Sequence, residues 1–409
     1  VKRDSAEDAR RNELVGKDRN SHRGAGVADI LRSGPQIQLA SDPDLAKVPR
    51  QPKTCRMEYR MTTPVIDVHA HLVPSELVKI LRREGVRYGV EMSGPEDAPK
   101  IQLTGGKLKP FPKSLMRLEE RIATLDRQGI DMQVVASWID LCGYTMPLDL
   151  AVKFSELQNE HLAAAVAAHP HRLAGAANVP LQDTRAAIAM LERAVRDQRF
   201  RAVQLSTYRG PGRFLDDTDL DPFWQAAQEL NVFILLHPYD EQPPQGLNEY
   251  FLHNCIGYPL QTSLAVIRMI FAGVLARFPD LKINLPHSGG FLPYQIDRFR
   301  HAADHRPEPR AKGFTGDVLD TFRKFHFDTV AFNPRPLRYL SDVVGAERLV
   351  LGSDYPFEMS DPDPVTTAKA ALPAHMHDAV LGGTVQKIMG LSPTRGANGR
   401  PLTPLARAV

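Results

Sequence analysis

The stretch VIDVHAHLVP, residues 65–74, sets two imidazoles one residue apart at the end of a run otherwise rich in β-branched and apolar side chains. In a strand, residues i and i+2 point to the same face, so His69 and His71 project together and can grip one ion from one side. An isolated H-x-H is read as readily as two histidines that end a strand, so the question is whether the chain supplies further ligands. Three more polar residues interrupt apolar runs in the same way: His237 in FILLHP, His287 in INLPHSGG and Asp354 in VLGSDYPF. Taken singly, His237 before Pro238 reads as a turn residue and Asp354 as a helix N-cap. Five such residues, each closing a strand-like run, read as a constellation.

Elements that would bring them together are visible in the hydrophobic pattern. Strand-like runs fall at 65–71, 133–137, 173–180, 201–207, 232–238, 282–290, 325–330 and 349–357. Helical periodicity lies between them, for example over 114–129, 185–197 and 262–278. Eight strands alternating with helices predict a (β/α)8 TIM-type barrel, in which all C-terminal strand ends meet on one face. A doubly wound open sheet is the runner-up, and no G-x-G-x-x-G follows the first strand to support it.

The domain is expected to span residues 61–395. Residues 1–60 mix polar residues, Gly and Pro without periodicity and are expected to form a mobile, disordered N-terminal extension or an over-long start; residues 396–409 are expected to be a C-terminal tail. The first 60 residues hold 13 Lys and Arg against 9 Asp and Glu, which leaves residues 61–409 at a net charge of −1 and argues against a nucleic-acid surface. Cys55, Cys142 and Cys255 are odd in number and far apart, which fits a reducing compartment rather than a disulfide framework. The most apolar stretch, SLAVIRMIFAGVLARF, is interrupted by Arg268, so no membrane span is expected. With no signal-peptide pattern at the N-terminus, the protein is read as cytoplasmic.

The ordered set DVHAH, LLHPYD, LPHSGG and LGSDYPF resembles the amidohydrolase superfamily, and within it the branch of aminocarboxymuconate-semialdehyde decarboxylase and related non-oxidative decarboxylases. The resemblance runs from about residue 64 to about residue 391. It implies that His69, His71, His237 and Asp354 hold one divalent metal, most often zinc, with manganese as the other candidate, and that His287 stands beside it as a catalytic group without ligating. Such a His/Asp donor set at an open site suits Zn2+, which lowers the pKa of water toward about 7. No lysine stands in VQLSTYRG at the end of the fourth strand to bridge two metals, so one ion is expected.

The resemblance also implies substrate contacts. Arg298, eleven residues beyond His287, matches an arginine that a neighbouring subunit donates to the substrate carboxylate, which implies a homodimer. Lys109 stands by approximate alignment where the branch has a second arginine, and an ammonium lacks the planar fork that grips a carboxylate with two bonds. Tyr239 takes the place of a frequent tryptophan; with Trp138 and Tyr144 it is expected to roof the pocket and stack on an aromatic or dienoic acid. The remaining histidines, including His253 and His326, carry no motif and are read as structural.

The expected activity is metal-dependent, non-oxidative decarboxylation of an unsaturated or aromatic carboxylic acid, with Asp354 and His287 handling protons. Hydrolysis of a lactone, ester or amide would use the same five side chains, with Asp354 as base and His287 steadying the oxyanion. A metal-binding module without catalysis is the third reading, disfavoured because all four ligands are present.

Overall fold

The computed structural model of the chain describes residues 63–239 and 244–399. The chain divides into two units, Val1–Tyr59 and Arg60–Val409. The expected N-terminal extension and Cys55 lie outside the described residues, as does the tail from residue 400.

Each of the eight strand-like runs carries a strand. In chain order the strands are β1 (Ile66–His71), β2 (Val90–Ser93), β3 (Lys100–Leu103), β4 (Lys109–Pro110), β5 (Met132–Ala136), β6 (Leu173–Asn178), β7 (Ala202–Ser206), β8 (Phe233–His237), β9 (Lys282–Leu285), β10 (His326–Asp328) and β11 (Leu349–Val350). One sheet runs β1-β5-β6-β7-β8-β9-β10-β11, and all its pairings are parallel. It closes on itself: Val68 N donates to Leu351 O at 2.9 Å, Asp354 N to His69 O at 2.8 Å and His71 N to Tyr355 O at 2.8 Å. This is the expected (β/α)8 barrel.

Alternation along the strands separates two cores. Ile66 and Val68, Val134 and Ala136, Ala174 and Ala176, and Phe233 and Leu235 share one buried cluster, which fills the barrel interior. Residues of the opposite parity, such as Val135, Ala177, Val203, Ile234 and Ile283, pack outward with helix residues including Leu191, Phe223 and Val266. Each fully buried side chain of this size contributes roughly 1.5–3 kcal/mol relative to exposure. The helix Thr184–Arg196 shows the pattern that directs this: Ala187, Met190, Leu191 and Ala194 recur at helical spacing and are buried, and Asp183 caps the start by accepting from Ala186 N at 2.8 Å.

Three departures from the sequence expectation matter. The apolar run 262–278 forms two helices, Tyr258–Phe271 and Val274–Arg277, because the chain turns through Gly273 at φ +66°. Between β1 and β5 an unanticipated antiparallel sheet, β2-β3-β4, packs Val90, Ile101 and Leu103 against Leu77, Leu81 and Phe154. That sheet carries Lys109. The start of the expected tail is ordered against the barrel, with Ala397 N donating to Asp131 Oδ1 at 2.9 Å and Asn398 N to Asp126 Oδ1 at 3.0 Å. Among the described residues, no helix is long and apolar enough to cross a membrane.

Candidate active site

The C-terminal ends of β1, β8 and β9 and the segment after β11 converge, as a barrel requires, and bring His69, His71, His237, His287 and Asp354 together. The ring centroids of His69 lie 5.3, 5.2 and 5.2 Å from those of His71, His237 and His287. His69, His71 and His237 are almost completely buried.

Hydrogen bonding fixes how three of these imidazoles present themselves. His69 Nδ1 donates to Asp328 Oδ2 at 2.7 Å, His71 Nδ1 to the Ser137 carbonyl at 3.1 Å and His237 Nδ1 to the Pro238 carbonyl at 2.8 Å. Each acceptor demands a proton on Nδ1, so in the neutral ring the Nε2 lone pair faces inward. There, His69 Nε2 and His71 Nε2 stand 3.3 Å apart, and Asp354 Oδ1 lies 3.4 and 3.3 Å from them. His237 Nε2 is buried with no hydrogen-bond partner among the described residues. Lone pairs and a carboxylate oxygen converging at such distances repel one another unless a proton or a cation sits among them.

The electrostatics follow from that convergence. Burial would lower His69, but the carboxylates of Asp354 and Asp328 outweigh it and push the imidazole up to about 9. Burial lowers His71, and burial together with His71, His69 and His287 holds His237 well below the usual imidazole range. Burial would raise Asp354, yet the surrounding His69, His287 and His71 hold its carboxyl well below the usual carboxylate range. The donor set therefore fits a divalent cation: His71 and His237 are held neutral, Asp354 is ionised, and the charge that raises His69 is one that a cation would satisfy in place of its proton.

His287 differs from the other three. Its Nε2 lies 3.4 Å from Asp354 Oδ2, the oxygen not shared with His69 and His71, and its Nδ1 has no partner among the described residues. The carboxylate oxygen places a proton on Nε2, facing the cluster, where the other three imidazoles present a lone pair. It is also close enough to ligate: His69, His237, His287 and Asp354 offer donor atoms within 4.8 Å of one another, a set that omits His71.

The turns that aim these groups are strained. His287 and Ser288 adopt φ of +52° and +55°, Asp354 +62°, conformations that non-glycine residues keep only where surrounding structure enforces them. Gly290 ends the PHSGG turn at φ +66°, where a Cβ would sit 2.6 Å from the Pro259 carbonyl oxygen. Asp328 ties this turn down: its Oδ1 accepts from Ser288 N at 3.0 Å and Val330 N at 3.1 Å, while Oδ2 holds His69. Beneath β1, Asp67 accepts from His69 N at 3.0 Å, Gln133 Nε2 at 2.7 Å and Ser353 Oγ at 2.5 Å. Burial raises Asp67 against these bonds and lowers the fully buried Arg121, which donates to Gln133 and to the His71 carbonyl, to about 10.

The cluster opens into a cavity of about 500 Å3, a size suited to a small organic ligand. Lys109, Trp138 and Tyr239, named from the sequence, line it together with His237, His287 and Asp354. Lys109 Nζ donates to Asp140 Oδ1 at 2.8 Å and to Tyr239 Oη at 3.1 Å. Tyr144 is corrected: it is buried in the barrel's outer core and does not line this cavity, and burial raises its hydroxyl pKa well above the usual value. Arg298 is exposed on the helix Leu292–His305, away from its own chain's cavity.

Sequence reasoning missed Asp328, although it ends its strand run as the other site residues end theirs. It also missed His253, Asn254 and Tyr258, which line the cavity from the π-turn His253–Gly257 and the helix after it. Their local sequence carries no strand-end pattern.

The family model described as amidohydrolase matches residues 66–393. A 2-amino-3-carboxymuconate-6-semialdehyde decarboxylase of Dictyostelium discoideum is 27% identical over 335 residues, covering 81% of this chain and 92% of its own. A gamma-resorcylate decarboxylase of Polaromonas sp. is 26% identical over 275 residues, covering 62% of this chain and 82% of its own. Among solved structures, a dihydroxybenzoic acid decarboxylase from Polaromonas sp. JS666, with bound manganese and the inhibitor 2-nitroresorcinol, superposes with a TM-score of 0.65 at 21% identity, covering 80% of this chain and 97% of that one.

Proposed function

The chain belongs to the amidohydrolase family, and on that premise we propose that it is a metal-dependent non-oxidative decarboxylase, a carboxy-lyase of an unsaturated or aromatic carboxylic acid. One observation carries the reading: three imidazoles with tied Nδ1 atoms and one buried carboxylate converge at a ligand-sized cavity, with a fourth imidazole on the carboxylate's other oxygen. Several relatives that match most of their own length along this chain are decarboxylases, beside one hydratase, which supports the reaction class.

His69, His71, His237 and Asp354 would hold the ion, and His287 would remain outside its ligand set because its Nε2 is engaged by Asp354 Oδ2. We assign zinc from the His/Asp donor set, with manganese, present in the similar solved structure, as the alternative. When bound, the ion would supply Lewis-acid charge for the carboxylate that departs. When the bond to the carboxylate breaks, its electron pair stays on the substrate carbon and CO2 leaves. His287, adjacent to Asp354, delivers the proton that replaces it, and Asp354 steadies the imidazolium beforehand. Trp138 and Tyr239 provide flat walls for a planar acid.

A homodimer completes this reading, with Arg298 reaching a partner's cavity. Leu260, Leu264, Phe291, Tyr294 and Tyr339 are exposed on the same helix and its neighbours. They are joined by Phe291 N donating to Ser263 Oγ at 3.0 Å and Tyr339 Oη to the Pro293 carbonyl at 3.2 Å. Exposed apolar side chains grouped in this way favour a covered face.

The test is a screen of zinc- or manganese-loaded protein against hydroxylated benzoic acids and unsaturated semialdehyde acids, with released CO2 and the shortened product measured together. Cleavage of lactones, esters or amides without any CO2 release would overturn decarboxylation in favour of hydrolysis.

A further inference from the structure

Three of the four proposed ligands are flanked by a closed ring of hydrogen bonds, and one member of that ring comes from outside the barrel. Arg121, on the helix Leu118–Gln128, is completely buried; its guanidinium donates to the His71 carbonyl through Nη2 and to Gln133 Oε1 through Nη1 at 2.5 Å. Gln133 Nε2 donates onward to Asp67 Oδ2 at 2.7 Å, and the same oxygen accepts from Ser353 Oγ at 2.5 Å. Ser353 Oγ accepts from Tyr355 N at 3.1 Å, and the Tyr355 carbonyl accepts from His71 N at 2.8 Å, which closes the ring. The ring joins β1, which carries His69 and His71, to the segment after β11, which carries Asp354. The guanidinium carbon also lies 4.7 Å from the centroid of the Tyr355 ring, so Arg121 touches both segments.

We propose that Arg121 is a positioning residue for the metal centre, holding β1 and the segment after β11 at the separation that lets His69, His71 and Asp354 share one ion. This rests on the metal-binding part of the proposed function. A buried guanidinium is costly to desolvate, and both of its hydrogen bonds end on neutral carbonyl oxygens, with the carboxylate of Asp67 on the far side of Gln133. The planar fork reaches two strands at once, His71 on β1 and Gln133 on β5, while its face lies on Tyr355; a lysine is a point donor and cannot do all three. Without Arg121, the His71 carbonyl and Gln133 Oε1 lose their donor together, and Gln133 is free to turn from Asp67. Asp67 Oδ1 accepts from His69 N at 3.0 Å and Ser353 N at 3.1 Å, so slack enters both ligand-bearing segments. Asp354 Oδ1 stands 3.4 and 3.3 Å from His69 and His71 Nε2, and ligands must be held within about 0.5 Å of their working geometry to bind well.

The test is titration of the metal-free full-length protein with Co2+, followed by visible absorption, which reports the arrangement of ligands as well as affinity. In Arg121→Met, shown to be folded by circular dichroism, Co2+ affinity should fall at least tenfold and the absorption band should change in position or intensity. Arg121→Lys should lose at least threefold in affinity. Leu125→Ala, which removes a buried side chain from the same helix, should lower the unfolding midpoint while Co2+ affinity stays within twofold and the spectrum is unchanged. A folded Arg121→Met that matches the wild type in affinity and spectrum, or an equal loss of affinity in Leu125→Ala, would overturn the proposal. If Arg121→Met does not fold, Arg121→Lys decides by its own threshold. A wild type that takes up no Co2+ ends the metal reading and this inference with it, whereas uptake by the wild type with unchanged variants ends only the role of Arg121.

Discussion

Replacing Asp328 by Asn should weaken divalent-metal binding by roughly 10- to 100-fold, the range typical for loss of a group that orients a metal ligand. The structure explains why so small a change acts strongly. Asp328 uses both oxygens: Oδ2 accepts from His69 Nδ1 at 2.7 Å, and Oδ1 accepts the amides of Ser288 and Val330 at 3.0 and 3.1 Å. An amide has one oxygen, so Asn can serve one side only. If its oxygen keeps the two amides, its NH2 faces His69, drives the imidazole proton from Nδ1 to Nε2 and removes the lone pair aimed at the cluster. If it serves His69 instead, the NH2 opposes the Ser288 and Val330 amides and loosens the turn that carries His287. The expected loss corresponds to about 1.4–2.8 kcal/mol of binding free energy. The assay is competition for zinc or manganese against a chromophoric chelator, at a temperature where circular dichroism shows both proteins folded. The metal-free variant should also lose stability, because His69 keeps its proton partly through Asp328. Affinity within twofold of the wild type, in a folded variant, would refute the orienting role.

Purified protein should carry near one divalent ion per chain and His69→Ala should lose it, checked by elemental analysis; no metal in either would end the metal reading. His287→Ala should keep most of its metal while turnover falls by about 10² or more, whereas metal loss equal to that of His69→Ala would make His287 a ligand. Arg298→Ala should retain metal and fold but lose activity, and mixing it with His287→Ala should partly restore turnover, since one pocket of a mixed dimer has both residues; verified mixed dimers with no recovery would refute action across subunits. Burial, with Arg348 and Lys282 adding to it, lowers His326 from 6.5 to about 4. The unfolded chain then binds more protons between those values, so stability falls as pH drops from 6.5 toward 4, by roughly 3 kcal/mol at most. His326→Gln should show a smaller change in urea midpoint between pH 7 and pH 4.5 than the wild type; an equal change would refute the assignment.

The barrel was legible because each strand is a short apolar run, and the five central side chains because each polar residue ends such a run. Asp328 obeys the same rule in FHFDTV, but Asp is common enough at strand ends that only the partner, His69, distinguishes it. Arg121 could not be read from sequence: in LEERIATLDRQ it has the spacing of a solvated charge, and only the fold turns it under β1 toward the His71 carbonyl. Tyr144 illustrates the opposite error. An aromatic in a loop beside a pocket has two ways to turn, and the outer core claimed it. The sheet β2-β3-β4 escaped notice because its strands are four, four and two residues long and no long periodic run marks them.

That small sheet separates two tasks that a barrel usually combines. The hydrogen bonds that hold the histidine cluster run between the barrel strands and the segments at their ends, whereas Lys109 stands on an excursion whose strands pair only with each other. Residues 90–110 can therefore be exchanged for a related excursion, or lengthened at the β3–β4 connection, without altering a single pairing of the barrel. On the proposed reading such a graft should alter which acids enter while leaving the histidine cluster as it was, so chains with the same catalytic core can diverge in diet through one detachable segment.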